Sequence, residues 1–80
     1  MADKIKVYGT TWCGDTKRSC ACLKRLGNDY VWYDIDKDTD ACAFVEKVNK
    51  GNRSVPTIVF PDGSILVEPS DAQLEKKCRD

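Results

Sequence analysis

Apolar positions recur along this chain with two periods, every second residue in some stretches and every third or fourth in others, so it reads as alternating strands and helices. Ile5, Val7 and Tyr8 form a short strand after a polar start, and Gly9 to Trp12 turn into a helix whose buried stripe is Ser19, Cys22, Leu23 and Leu26. Gly27-Asn28 closes that helix. A second strand is predicted over Tyr30 to Ile35, and Asp38-Thr39 opens a second helix with Ala41, Phe44, Val45 and Val48 facing inward and Gly51 as its stop. Thr57 to Phe60 and Ile65 to Val67, joined through Asp62-Gly63, read as an antiparallel hairpin. Ser70 and Gln73 have capping-box spacing ahead of a last helix that carries Leu74 and Cys78 on one side. A right-handed βαβ unit followed by a hairpin and a helix predicts an α/β architecture, a four-stranded mixed sheet flanked by three helices.

Composition narrows the class. Eighty residues build one small core, so a single domain over residues 1–80 is expected. Hydrophobic residues at 41% and charged residues at 32% suit a globular chain. Thirteen basic residues balance thirteen acidic ones, so no nucleic-acid partner and no anionic membrane is expected. No apolar run reaches the roughly 20 residues that span a bilayer, and the opening Met1-Ala2-Asp3-Lys4 has no signal-peptide core. A cytoplasmic monomer is the expectation. The five cysteines (13, 20, 22, 42 and 78) are odd in number, which in such a chain points to reduced thiols rather than disulfide staples. There is no histidine and no paired Cys-x-x-Cys set, so no metal site is expected.

Cys13 stands out because Thr10-Thr11-Trp12-Cys13-Gly14-Asp15-Thr16 places it between a strand and the opening turn of a helix. Unpaired backbone N–H groups and the positive end of the helix dipole favour thiolate there, lowering a pKa that is about 8.5 in a free cysteine. Lys17 and Arg18 add positive charge one turn on, Asp15 opposes them, and Thr16 can donate its hydroxyl proton to the sulfur. Pro56 is the second feature: an X-Pro bond can be cis, which would leave the backbone N–H and C=O of Val55 free to pair with an extended thiol substrate. Pro56 can also simply start a strand.

Three stretches together resemble the glutaredoxins, and within them the actinobacterial mycoredoxins and related small redoxins: Tyr8-Gly9-Thr10-Thr11-Trp12-Cys13-Gly14, then Val48 through Thr57 with its Ser54-Val55-Pro56-Thr57, then Asp62-Gly63-Ser64 and Pro69-Ser70. The resemblance implies a minimal thioredoxin (glutaredoxin-like) fold, a nucleophilic Cys13 and a cis Pro56. It also implies reduction of protein disulfides, or of mixed disulfides with a low-molecular-weight thiol as co-substrate, with electrons from a thiol or a reductase and no further cofactor. Three departures bear on mechanism. The family's second cysteine falls on Thr16, the lysine that glutathione-binding members carry three residues before the nucleophile is Thr10, and the Cys-Gly-Phe-Ser of cluster-binding members reads Cys13-Gly14-Asp15-Thr16.

By position, Trp12 offers an apolar wall, Thr16 a donor, Val55 and Pro56 a backbone edge, and Ser70 with Asp71 a helix start where a carboxylate can bind. Arg53 can meet a substrate carboxylate. Asp71 can equally be a plain helix-start residue, and Arg53 a solvated one. Cys20 lies two turns beyond Cys13 on the same helix line, so it is a candidate resolving thiol, although the rise puts the two Cα atoms roughly 10 Å apart. Alternatives to the enzyme are an iron–sulfur carrier and a redox-inactive binding module.

Overall fold

Strand pairing organises the molecule. The computed structural model describes residues 4–79, in which the chain runs β1 (Ile5–Gly9), α1 (Gly14–Arg25), β2 (Tyr30–Asp34), α2 (Thr39–Val48), β3 (Thr57–Val59), β4 (Ile65–Val67) and α3 (Asp71–Arg79). The strands form one mixed sheet in the order β2-β1-β3-β4. β1 and β2 are parallel, with Val7 opposite Trp32, while β3 is antiparallel to β1 and to β4, with Ile58 opposite Val7 and Leu66.

Alternate side chains of a strand point to opposite faces, and here each face has its own core. Ile5, Val7, Ile58 and Phe60 meet Cys22 and Leu23 of α1 and Leu74 of α3 on one side. Tyr8 meets Ile35, Ala41 and Val45 on the other, under α2, where its ring stacks on Tyr33 and Phe44 at 4.7 Å. Val7, Leu23, Val45, Ile58 and Leu74 are fully buried, a class of side chain whose burial stabilises by about 1.5–3 kcal/mol each.

The predicted stripes hold: Ser19, Cys22 and Leu23 are all buried on α1. Asp38 caps α2 by accepting from Ala41 N–H at 3.0 Å, and Ser70 with Gln73 forms the reciprocal capping box of α3, at 3.2 and 2.8 Å. Some ends differ from the sequence expectation. α2 stops at Val48 rather than near Gly51, because the Asn49 side chain donates to the Val45 carbonyl at 2.9 Å and to Thr57 Oγ1 at 3.2 Å. That local bonding competes with another helical turn. The β3–β4 hairpin closes with Phe60 N–H on the Ser64 carbonyl and Gly63 N–H on the Phe60 carbonyl, each at 2.9 Å, so its loop is three residues long. Gly63, at φ 90°, takes the left-handed position that such a loop requires.

This pairing decides where chemistry can sit. Parallel β1 and β2 end side by side, antiparallel β3 begins at that end, and Val67, the last residue of β4, lies opposite Thr57. The loops after β1, β2 and β4 and the segment before β3 therefore gather at one end of the sheet. Cys13, Asp36, Val55-Pro56 and Ser70 all lie in them.

Candidate active site

Cys13 occupies the N-cap of α1 in extended backbone (φ −83°, ψ 120°), half-buried, with its carbonyl accepting from Lys17 N–H at 3.1 Å. The Cys13 side chain makes no regular capping hydrogen bond, and the first N–H groups of the helix remain open toward the sulfur. Its pKa is lowered from the ordinary thiol value, first by the Thr16 hydroxyl and then by the backbone N–H groups of Thr16 and Asp15; partial burial and the Asp15 charge oppose them. The Thr16 hydroxyl is only 1% exposed, as part of its residue, and makes no regular hydrogen bond in this geometry.

Gly9 explains why Thr16 is held so firmly. A Cβ on Gly9 would lie 2.5 Å from Thr16 Cγ2 and 2.8 Å from its Oγ1. The last residue of β1 must therefore be glycine for the first turn of α1 to sit where it does.

The other residues expected around the sulfur fall into two groups. Val55-Pro56 is a cis peptide bond, and neither the N–H nor the C=O of Val55 enters a turn, loop or ladder bond among the described residues. The Pro56 carbonyl accepts from Glu68 N–H at 2.8 Å, tying this segment to the link before α3. Trp12 is 72% exposed. It is nevertheless oriented, because its Nε1–H donates to Asp36 Oδ2 at 2.8 Å. Arg53 donates to the other oxygen of the same carboxylate at 3.1 Å. Trp12, Asp36, Arg53 and Val55, with Thr10 and Ile35, line a cavity of about 140 Å³.

Ser70 and Asp71 also lie at this end, but their polar groups are engaged. The Ser70 hydroxyl caps Gln73, and Asp71 is paired with Arg18 at 3.1 Å, whose guanidinium also reaches the Pro69 carbonyl at 3.3 Å and Asp15 at 3.5 Å. Arg18 is thus a cross-link between α1 and α3, and it is not among the groups that lower the Cys13 pKa. Sequence reasoning missed that cross-link. It also missed Asp36, which sits in a turn among alternating aspartates that read as strand end and helix cap. The available signal was topological: whatever follows β2 must lie beside whatever follows β1.

Cys20 lines a separate cleft of about 410 Å³ between α1 and the β2 edge, with Thr16, Lys17, Tyr30 and Trp32. Burial pushes its thiol pKa up, against a hydrogen bond with Tyr30, whose own pKa is pushed up to about 12 by burial and by Cys20. α1 is unbroken between Cys13 and Cys20. Cys42 donates to Glu46 at 3.4 Å, and Cys78 packs at the margin of the core. All five cysteines are free thiols.

Comparison with known proteins agrees with this construction. The sequence model of the glutaredoxin family matches residues 5–65. A relative in Mycobacterium tuberculosis that carries a provisional glutaredoxin name is 40% identical over 73 residues, 91% of this chain and 87% of that one. Mycoredoxin 1 of Corynebacterium glutamicum is 36% identical over 74 residues, 91% and 90% of the two chains. Among solved structures, a glutaredoxin from Archaeoglobus fulgidus superimposes with a TM-score of 0.78 at 31% identity, covering 100% of this chain and 89% of that one. With a cysteine at the head of α1, a cis proline just before β3, a β2-β1-β3-β4 sheet and these matches over most of its length, the chain belongs to the glutaredoxin family.

Proposed function

We propose that this protein is a thiol-disulfide oxidoreductase that reduces protein disulfides or mixed disulfides through Cys13, with a low-molecular-weight thiol completing the cycle. The observation that carries the reading is the half-buried Cys13 at the α1 N-cap, with its thiolate favoured by Thr16 and two backbone N–H groups. In the first step the Cys13 thiolate attacks one substrate sulfur. The Cys13–S bond forms, the substrate S–S bond breaks, and the leaving thiolate takes a proton from water. Val55 N–H and C=O pair with the extended substrate segment, and the Trp12 indole covers one side of it. In the second step an external thiolate attacks the sulfur bound to Cys13, which departs as the low-pKa leaving group. For a mixed disulfide whose small-thiol half is taken up by Cys13, the protein thiol is freed in the first step and the second joins that half to one external thiol as a small disulfide; a protein disulfide leaves with one sulfur joined to the external thiol, and a second external thiol attacks that bond to free it.

The external route is preferred to Cys20 for two reasons. The unbroken helix rises roughly 10 Å over seven residues, past the roughly 7 Å limit for a disulfide, and burial disfavours the Cys20 thiolate. In this reading the protein acts as a cytoplasmic monomer without a cofactor, a nucleic acid or a membrane as partner; its thirteen basic and thirteen acidic residues support the absence of a polyanion partner. No helix among the described residues is long and apolar enough to cross a membrane.

The test is turnover of a small mixed disulfide by wild type, Cys13→Ser and Cys20→Ser with excess thiol, and mass mapping of the mildly oxidised protein. Loss of activity in Cys13→Ser alone is expected. A Cys13–Cys20 disulfide in the map would restore the internal route, and a coloured, iron-containing preparation inactive toward disulfides would favour a cluster carrier instead.

A further inference from the structure

We propose that Asp36 sets the charge specificity of the Cys13 site: by holding the Arg53 guanidinium and the Trp12 indole with one carboxylate, it denies a free cation to incoming anionic disulfides and favours neutral or cationic ones. The inference rests on the oxidoreductase reading of Cys13 and adds the substrate class to it.

The geometry is a bridge across three loops. Asp36 Oδ2 accepts from Trp12 at 2.8 Å and Oδ1 from Arg53 at 3.1 Å. Its own N–H donates to Asp34 Oδ1 at 2.9 Å, which fixes the turn that presents it. Trp12 immediately precedes the nucleophile, and Arg53 lies two residues before the Val55 backbone edge. The carboxylate therefore sits between the residue before the nucleophile and the segment that leads to the Val55 edge, and with Trp12, Arg53 and Val55 it lines the small cavity there.

The second arginine near the sulfur is occupied in the same way. Arg18 is held by Asp15 and Asp71. A substrate carboxylate arriving beside Cys13 meets guanidinium groups whose charge is already offset by aspartates. Lys17 and Lys37, nearby cations with no ion pair among the described residues, line two other clefts, Lys17 beside Cys20 and Lys37 beside Asp34 and Asp38. An ammonium or an uncharged hydroxyl next to the scissile sulfur needs no such cation. The half-exposed Arg53–Asp36 pair contributes little to stability, which leaves specificity as its consequence.

Three disulfides of similar length test the idea: bis(2-hydroxyethyl) disulfide, dithiodipropionate and cystamine, which are neutral, anionic and cationic. The readout is the ratio of kcat/KM for the anionic to that for the cationic compound, because any change in the Cys13 thiol itself cancels in the ratio. Asp36→Asn changes the rim by one charge; for an assumed charge separation of roughly 7 Å in water, opposite effects on the two compounds raise the ratio by about sevenfold. The gain should shrink near 1 M salt, where the screening length falls to about 3 Å. Arg53→Gln should move the ratio the opposite way, and the double variant should restore the wild-type value. Arg53→Gln alone carries the test if Asp36→Asn does not fold. A ratio that stays within twofold of wild type in the single variants, or a double variant that keeps the Asp36→Asn ratio, overturns the proposal. Wild type inactive on all three compounds overturns the oxidoreductase reading instead.

Discussion

Thr16→Val isolates the group that contributes most to the Cys13 thiolate. The substitution keeps the shape of a side chain packed against Gly9 and removes a hydroxyl that has no regular partner in the resting protein, so stability should hold or rise slightly. A hydrogen bond to a charged group is worth about 1.5–3 kcal/mol. Because the resting contact is not a regular bond, the lower end applies, and at 1.36 kcal/mol per pH unit the Cys13 midpoint should rise by about one unit. Two consequences follow for alkylation, and they have opposite signs. Below both midpoints the variant has about tenfold less thiolate, but a more basic sulfur is about threefold more nucleophilic, so the net loss is about threefold. Above both midpoints only the second factor remains, and the variant reacts about threefold faster. Iodoacetamide rates across pH 4 to 10, read by mass at the Cys13 peptide, should show the two profiles crossing. Superimposed profiles would refute the role given to Thr16 and leave the helix N-terminus as the whole cause.

Gly9→Ala forces a methyl against Thr16; a loss of about 1–3 kcal/mol in urea unfolding is expected, together with slower Cys13 alkylation as the first turn of α1 moves. Arg18→Ala should leave the Cys13 midpoint in place, since Arg18 acts on Asp71 and Asp15 rather than on the sulfur, and should cost no more than about 1 kcal/mol for these half-exposed pairs. The Lys77 ammonium, 2.6 Å from Asp62, holds that carboxyl well below its usual range near 3.8. A carboxyl depressed by folding stabilises above its unfolded pKa and is lost as pH falls through the folded one, so the stability gap between wild type and Lys77→Ala should narrow below about pH 4 in acid titrations followed by circular dichroism.

The fold was legible because local signals agreed. Asp38 and the Ser70/Gln73 box mark helix starts by chemistry that needs no tertiary partner, and the alternation of Val7 with Tyr8 divides the two cores. Cys13 was legible for the same reason, since strand, turn and helix start are adjacent in sequence. Element ends were less so: Asn49 ends α2 partly by bonding to Thr57, a residue of another strand. The Asp36 bridge was hidden for a related reason. Trp12, Asp36 and Arg53 meet only after β1 and β2 align and β3 returns between β1 and β4, and no spacing along the chain records that meeting.

The gathering of these loops at one end leaves the opposite end chemically idle. There the turn closing β3 onto β4 is braced by Lys77 from the tail of α3. A fluorophore or surface tether attached at Ser64 or in the Pro61-Asp62-Gly63 loop would point away from the nucleophile. Immobilised through that corner, the protein would present its reactive mouth outward, an orientation suited to capturing clients as stalled mixed disulfides and releasing them with added thiol.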